Sequence, residues 1–196
     1  ESLGNPLFTL ELARARQRGD AAGRPLQALI AGELARLDGR SLELALWVAA
    51  YGREIFPEML GEAAGFAPSE LAPAMQVLER RGWLRATQTG AYDFAHDLVR
   101  QAAYRSLSQP RRRLLHRGLA RTLEVAAKGD LALLADFAHH AGLAGDDAAA
   151  ARGFAGAADR CLKLFANAEA LDLVARGLAH LSRVARGTEK PRLYVD

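Results

Sequence analysis

One short strand–turn–strand segment interrupts a chain whose apolar residues otherwise recur at helical spacing. Residues 82–85 and 91–94 have the composition of short strands, and Thr89-Gly90 between them favours a turn. Before and after this segment, apolar residues recur every three or four positions, which predicts amphipathic helices. We therefore predict a mainly α-helical protein with one small β-hairpin.

Three helical patterns precede the hairpin. Residues 41–51 are apolar almost all round, which predicts a central buried helix that ends at Gly52. Residues 57–64 predict a short helix, and the longer helix after it has Ser69 as its expected N-cap. Helix, short helix, helix and hairpin is the element order of a winged helix-turn-helix. An earlier pattern, which we expect to end at Gly39, predicts a helical linker.

The hairpin is followed at once by a further helix that begins at His96 or Asp97. Asp97 falls in the first turn, where a carboxylate suits the helix dipole and can cap a free backbone N–H. His96 stands beside the unpaired N–H groups of that helix end, a combination that suits an anion. A helix-start histidine bonded to backbone is the plainer interpretation of the same spacing. Helical spacing predicts the buried face of this helix: Leu98, Val99, Ala102, Ala103 and Leu107.

The rest of the chain predicts Ala-rich helices with short connections. A helix that begins at Pro110 has an apolar stripe with Leu114, and three more helices are expected over residues 130–143, 146–165 and 167–184. Antiparallel helix pairs with many small residues indicate a solenoid of the tetratricopeptide kind. Four arginines on the first of these helices form a possible basic patch, although a solvated face is the plainer interpretation: Arg111, Arg112, Arg113 and Arg117.

The composition argues against nucleic-acid binding, a disulfide within the chain and a membrane span. Lys and Arg number 26 against 23 Asp and Glu, and a net charge of +3 is weak support for nucleic-acid binding. The one cysteine, Cys161, allows no disulfide within the chain, fits the cytoplasm and is expected to be buried. No apolar run reaches the length of a membrane span, so no membrane partner is expected.

No arrangement of residues predicts catalysis or metal binding. His139 and His140 are adjacent and do not share a helix face. His116 and His180 bring no cysteine or carboxylate cluster, so no metal site is predicted. A phosphate loop that ends in Gly-Lys-Ser/Thr is missing, as is an acidic Walker B strand. We therefore do not expect this chain to be an enzyme or to bind ATP or ADP tightly.

Several segments match motifs that occur together in one family. Gly4-Asn5-Pro6 resembles a Gly-x-Pro motif, and residues 42–56 and 71–84 resemble helices of a winged helix. Phe94-Ala95-His96-Asp97 resembles the motif written Met-His-Asp in related receptors, and residues 113–120 resemble the helix that follows. In this order, the segments resemble the C-terminal half of the nucleotide-switch module of STAND-type signalling ATPases. The match is to the bacterial branch found in transcriptional regulators of the LuxR and SARP types.

The resemblance implies roles for three residues. Pro6 would lie against the adenine, and His96 would reach the β-phosphate of bound ADP and hold the resting state. Asp97 would steady the start of that helix. The nucleotide-binding core would lie upstream in the same parent chain, as a partner of this fragment, and the helical repeats would contact other proteins. The resemblance thus implies a fragment that relays ATP or ADP state within a transcriptional regulator.

The corresponding domain division has four parts. Residues 1–38 would be the remnant of a helical subdomain and residues 39–108 the winged helix. Residues 109–128 would be a connecting helix, and residues 129–196 the start of tetratricopeptide-like repeats.

Two other functions remain open. The first is a DNA-binding winged-helix transcription factor, but its reading helix would present Glu70 and Glu79 beside Gln76, so specific DNA binding is not expected. The second is a protein-interaction solenoid without nucleotide sensing, with the winged helix as its N-terminal cap.

Overall fold

The computed structural model describes residues 26–188, which form nine α-helices, one 3-10 turn and one two-stranded sheet. The protein is mainly α-helical with one small hairpin, as the spacing of apolar residues predicts. It divides into two compact units, Glu1–Ser108 and Gln109–Asp196. Among the described residues, no helix combines the length and apolar character needed to cross a membrane. The four-part domain division stays a prediction, and the helix expected to begin near Pro6 lies outside the described residues.

The first unit places its hairpin between helices four and five. Helix α2 is its centre: residues 44–51 are all buried, and the helix packs against α4 and α5. The two strands are antiparallel, with Leu84 opposite Phe94. The elements are α1 (Leu26–Leu34), α2 (Gly39–Tyr51), α3 (Pro57–Ala64), α4 (Pro68–Arg80), β1 (Leu84–Ala86), β2 (Tyr92–Phe94) and α5 (Asp97–Ser106).

Two helix starts differ from the sequence-based prediction. Gly39 begins α2 and does not end the preceding helix, because the Asp38 carboxylate accepts hydrogen bonds from the Ser41 backbone N–H (2.9 Å) and hydroxyl (2.6 Å). Ser69 is not the N-cap of α4, because Pro68 already occupies a first-turn position and Ala67 precedes it. The two hydrogen bonds from Ser41 hold the pKa of Asp38 below its usual value, because the charged carboxylate accepts them.

Backbone hydrogen bonds tie the hairpin to the helices. Ile55, in the connection between α2 and α3, exchanges two N–H···O bonds of 2.8 Å with Tyr92 of β2. The Ala95 N–H donates to the Trp83 carbonyl at 2.8 Å and closes the other end of the hairpin. The residue that follows, His96, therefore has a fixed backbone position relative to α2.

The second unit is a row of antiparallel helices, each packed on the next. Small residues line the contacts, with Ala138, Ala150 and Ala157 buried. Two expectations are wrong here: Leu114 is 62% exposed, because the buried face is centred on Leu115 and Leu119, and Cys161 is only partly buried. The elements are α6 (Gln109–Ala126), a 3-10 turn (Leu131–Leu133), α7 (Leu134–Ala144), α8 (Asp147–Lys163) and α9 (Asn167–Thr188).

Gly153 allows the close approach of α8 to α7. A Cβ at this position would lie 2.7 Å from a ring carbon of Phe137 and 2.9 Å from the Ala138 Cβ. Gly177, on α9, is also buried, but a Cβ there would meet the Phe154 Cβ at 3.4 Å, which is ordinary contact.

We therefore expect opposite effects from two glycine-to-alanine changes. Gly153→Ala should lower the free energy of unfolding by about 1–2 kcal/mol, because overpacking outweighs the gain in helix propensity. Gly177→Ala, the matched control, should leave it unchanged or raise it by up to about 1 kcal/mol. Urea denaturation followed by far-UV circular dichroism measures both. Equal stability of the two variants would contradict the packing argument.

Candidate functional site

His96 lies at the junction between the hairpin and α5. It is the N-cap residue of α5, with extended backbone angles (φ −141°, ψ 124°) that join β2 to the helix. Its carbonyl accepts the N–H groups of Val99 (3.1 Å) and Arg100 (3.3 Å), while its half-buried side chain makes no capping hydrogen bond. Because the imidazole does not cap its own helix, the positive end of that helix can attract an anion.

Asp97 does not cap the helix, contrary to the prediction. Its exposed carboxylate accepts hydrogen bonds from Arg100, with Nε at 2.8 Å, and from the Gln101 side-chain amide. These bonds hold the pKa of Asp97 below its usual value, with Arg100 the larger cause. Asp97 therefore orients Arg100, whose guanidinium lies 3.6 Å from the place a Cβ of Gly52 would occupy. The sequence predicts no role for Arg100, at the end of the motif segment, or for Gln101, although i+3 and i+4 spacing from Asp97 is a usable signal.

The buried face of α5 is narrower than predicted. Val99, Ala103 and Leu107 are buried, at successive spacings of four residues, whereas Leu98 is 42% exposed. Leu98 instead lines a cavity of about 260 Å³ that α1 borders through Ile30. Val99 thus anchors the N-terminal turn of α5 beneath, and Leu98 faces the cavity beside α1.

The other predicted residues lie in other parts of the chain. Pro6 lies outside the described residues. The possible basic patch lies in the second unit on α6, whereas His96 and Asp97 belong to the first. Within the patch Arg112 is half-buried, and the other three are exposed: Arg111, Arg113 and Arg117.

A large groove with a mainly apolar lining lies between α3 and α4, and residue spacing did not predict it. Its volume is about 770 Å³, and its floor includes Phe66, Leu71 and Met75. Three carboxylates form its rim: Glu58, Glu62 and Glu79. We call it the acidic groove. Tyr92, from β2, also lines the groove, and burial together with a hydrogen bond to Glu79 raises the pKa of its hydroxyl.

Two histidines meet in the interior of the second unit. The Nδ1 atoms of His116 and His140 lie 2.9 Å apart, and both residues are at least 98% buried. Burial, with the charges of His139 and Arg112, lowers the pKa of His116 to about 4. Sequence analysis missed the pair because α6 and α7 bring it together across 24 positions. In the described part of the chain, no three or more His, Cys, Asp or Glu side chains form a group suited to a metal ion.

Comparisons of the chain with protein-family models, with curated proteins and with solved structures return no match. The resemblance described above therefore rests on the motifs themselves. The geometry at His96 and in the acidic groove is the remaining basis for a functional argument.

The histidine pair predicts an acid-sensitive second unit. The pKa of His116 is about 4 in the folded protein and about 6.5 in the unfolded chain, which therefore binds the extra proton first as the pH falls. The free energy of unfolding should drop by about 3 kcal/mol between pH 6.5 and pH 4, and this group should cause no further drop below that range.

The variant His116→Asn should flatten this pH dependence, because its amide can replace Nδ1 but cannot be protonated. His139→Asn, at an exposed neighbouring position, should retain most of it. Thermal unfolding of the chain across this pH range, followed by circular dichroism, checks both. An unchanged slope in His116→Asn would assign the acid sensitivity to other groups.

Proposed function

We propose that this chain is the regulatory and interaction part of a nucleotide-switched signalling ATPase of the STAND class, within a transcriptional regulator. In this proposal, residues 39–108 act as a winged helix that senses bound ADP. The helices from residue 129 onward begin a tetratricopeptide-like array that transmits the state to protein partners. The ATPase core is supplied upstream in the parent chain.

The order and pairing of elements support the winged helix. Helices α2, α3 and α4 precede the hairpin, which fits a helix-turn-helix with one wing. The pairing of Ile55 with Tyr92 adds a third extended segment between the first two helices. In the second unit, successive antiparallel helices in close contact fit helical repeats.

The position of His96 carries the proposal. A side chain at the N-cap that leaves its own helix uncapped is suited to a phosphate, which the helix dipole and imidazole would both attract. Arg100, one turn further along the same helix, is paired with Asp97 and adds no net charge there, so the helix end and the imidazole would supply the attraction. The simpler alternative is that the His96 side chain only bonds to backbone. This alternative loses support because His96 makes no side-chain cap bond.

The switch would follow from differential binding. If His96 contacts ADP only in the closed, resting arrangement, the contact stabilises that arrangement alone. A hydrogen bond with a charged partner is worth roughly 1.5–3 kcal/mol, which corresponds to about tenfold to a hundredfold in the ratio of the two states. Exchange or loss of ADP would then release the winged helix and the helical array that follows it.

We expect His96→Ala in the intact parent protein to lose ADP during purification and to signal without inducer. His139→Ala, an exposed histidine on α7, is the matched control and should keep both properties of the natural protein. Nucleotide released from the denatured protein is quantified by chromatography, and output is scored with a transcriptional reporter. A His96→Ala protein that retains ADP and stays silent would remove His96 from the mechanism.

The exposed surface of α4 is unfavourable for reading DNA. Seven positions of α4 are exposed, and three of them carry side-chain donors: Ser69, Gln76 and Arg80. The other four are Pro68, Ala72, Pro73 and Glu79, and the Glu70 carboxylate is paired with Arg40 at 2.5 Å. Such a helix offers few donors to base edges and places carboxylates near phosphate charge.

We therefore expect the chain to bind duplex DNA only weakly and without sequence preference. Association should be lost at physiological salt, because it would depend on counterion release alone. Gel-shift assays with a random duplex library at two salt concentrations measure this. Sequence-dependent binding that survives physiological salt, and that Gln76→Ala or Arg80→Ala removes, would favour a DNA reader.

A further inference from the structure

The acidic groove combines an apolar floor with uncompensated negative charge. Phe66, Leu71 and Met75 supply the floor, and the described lining holds no Lys or Arg. Arg40, whose guanidinium carbon lies 5.4 Å from the centre of the Phe66 ring, is already paired with Glu70 at 2.5 Å. The chain as a whole carries a net charge of +3, so three carboxylates around one groove oppose the general balance.

Glu62 is unfavourable for the helix that carries it. It lies near the C-terminal end of α3, where the helix dipole disfavours a carboxylate. It also stands four residues from Glu58, and like charges at that spacing repel each other. Glu62 is exposed and makes no ion pair with another described residue, so the described part of the unit gains nothing electrostatic from it. A cation supplied by a binding partner would offset the charge of this carboxylate.

Apolar depth and a carboxylate rim together specify the chemistry of an occupant. Apolar side chains fit the floor, and cations flanking them fit Glu58, Glu62 and Glu79. The wall formed by α3 has eight residues and is about 12 Å long, which matches about two turns of an incoming helix. Nucleic acid fits poorly, because its phosphates would face the same carboxylates.

We propose that the acidic groove is a docking site for a cationic amphipathic helix of a partner protein. The helix inserts apolar side chains between α3 and α4 and pairs its Arg or Lys residues with the glutamate rim. Nucleotide sensing at His96 is not required for this contact, so the two proposals stand or fall separately.

The test uses the full chain and a synthetic probe. The probe is a 16-residue helical peptide with Leu and Phe on one face and Arg on the flanks, and its twin carries Glu in place of every Arg. We expect the Arg peptide to bind at least about tenfold more tightly than the twin, with an affinity that falls as salt is added. Fluorescence anisotropy measures affinity, and amide chemical-shift changes should map to α3 and α4.

Two variants locate the contact. Ala72→Arg places a large cation at an exposed position in the groove and should weaken binding at least about tenfold, whereas Ala179→Arg, at an exposed position of α9, should not. Glu62→Gln should weaken binding about twofold to fivefold, yet leave the free chain as stable as before or slightly more so. If Glu62 stabilised the fold instead, Glu62→Gln would lower the free energy of unfolding.

Three results would overturn the proposal. One is equal binding of the Arg and Glu peptides, and another is binding that Ala72→Arg leaves unchanged. The third is concentration-dependent dimerisation of the chain alone that Ala72→Arg abolishes, because the occupant would then be a second copy.

Discussion

The pairing of Ile55 with Tyr92 is the contact on which both candidate sites depend. Two backbone hydrogen bonds of 2.8 Å join the α2–α3 connection to the second strand of the hairpin. A two-stranded hairpin is marginal by itself, so this attachment to helices gives it a fixed position. Four residues after Tyr92, His96 is the N-cap of α5, and Tyr92 itself lines the acidic groove. The same strand thus positions the proposed phosphate contact and the proposed docking surface.

The two units are stabilised by different means. The first surrounds one apolar helix, α2, with α4 and α5, and large side chains such as Leu44, Trp47 and Leu78 fill its core. The second brings helices together through Ala and Gly, and its largest fully buried side chains include Phe154 and His116. Close-packed small residues tolerate added volume poorly, and a buried imidazole tolerates a proton poorly. The second unit is therefore expected to be sensitive both to added volume at its helix contacts and to acid.

Elements with strong periodicity were predictable from sequence. The bounds of the short helix α3 agree with the prediction, and Gly52 ends α2 with a left-handed φ of 87°, as expected. Helix starts were less predictable, because they depend on which of several neighbouring residues supplies the cap. Asp38 and Pro68 set the starts of α2 and α4, whereas the sequence pattern predicts Gly39 as a helix end and Ser69 as a cap. The histidine pair and the acidic groove arise from contacts between helices, which spacing along one helix does not reveal.

The central claim is that His96 contacts the β-phosphate of ADP in the resting state. The most direct measurement is a crystal structure of the intact parent protein with ADP bound. The account predicts an imidazole nitrogen of His96 about 3 Å from a β-phosphate oxygen, with the N-terminus of α5 facing that phosphate. An ADP-bound resting structure in which the His96 ring points away from the nucleotide, or bonds only to backbone, would contradict it.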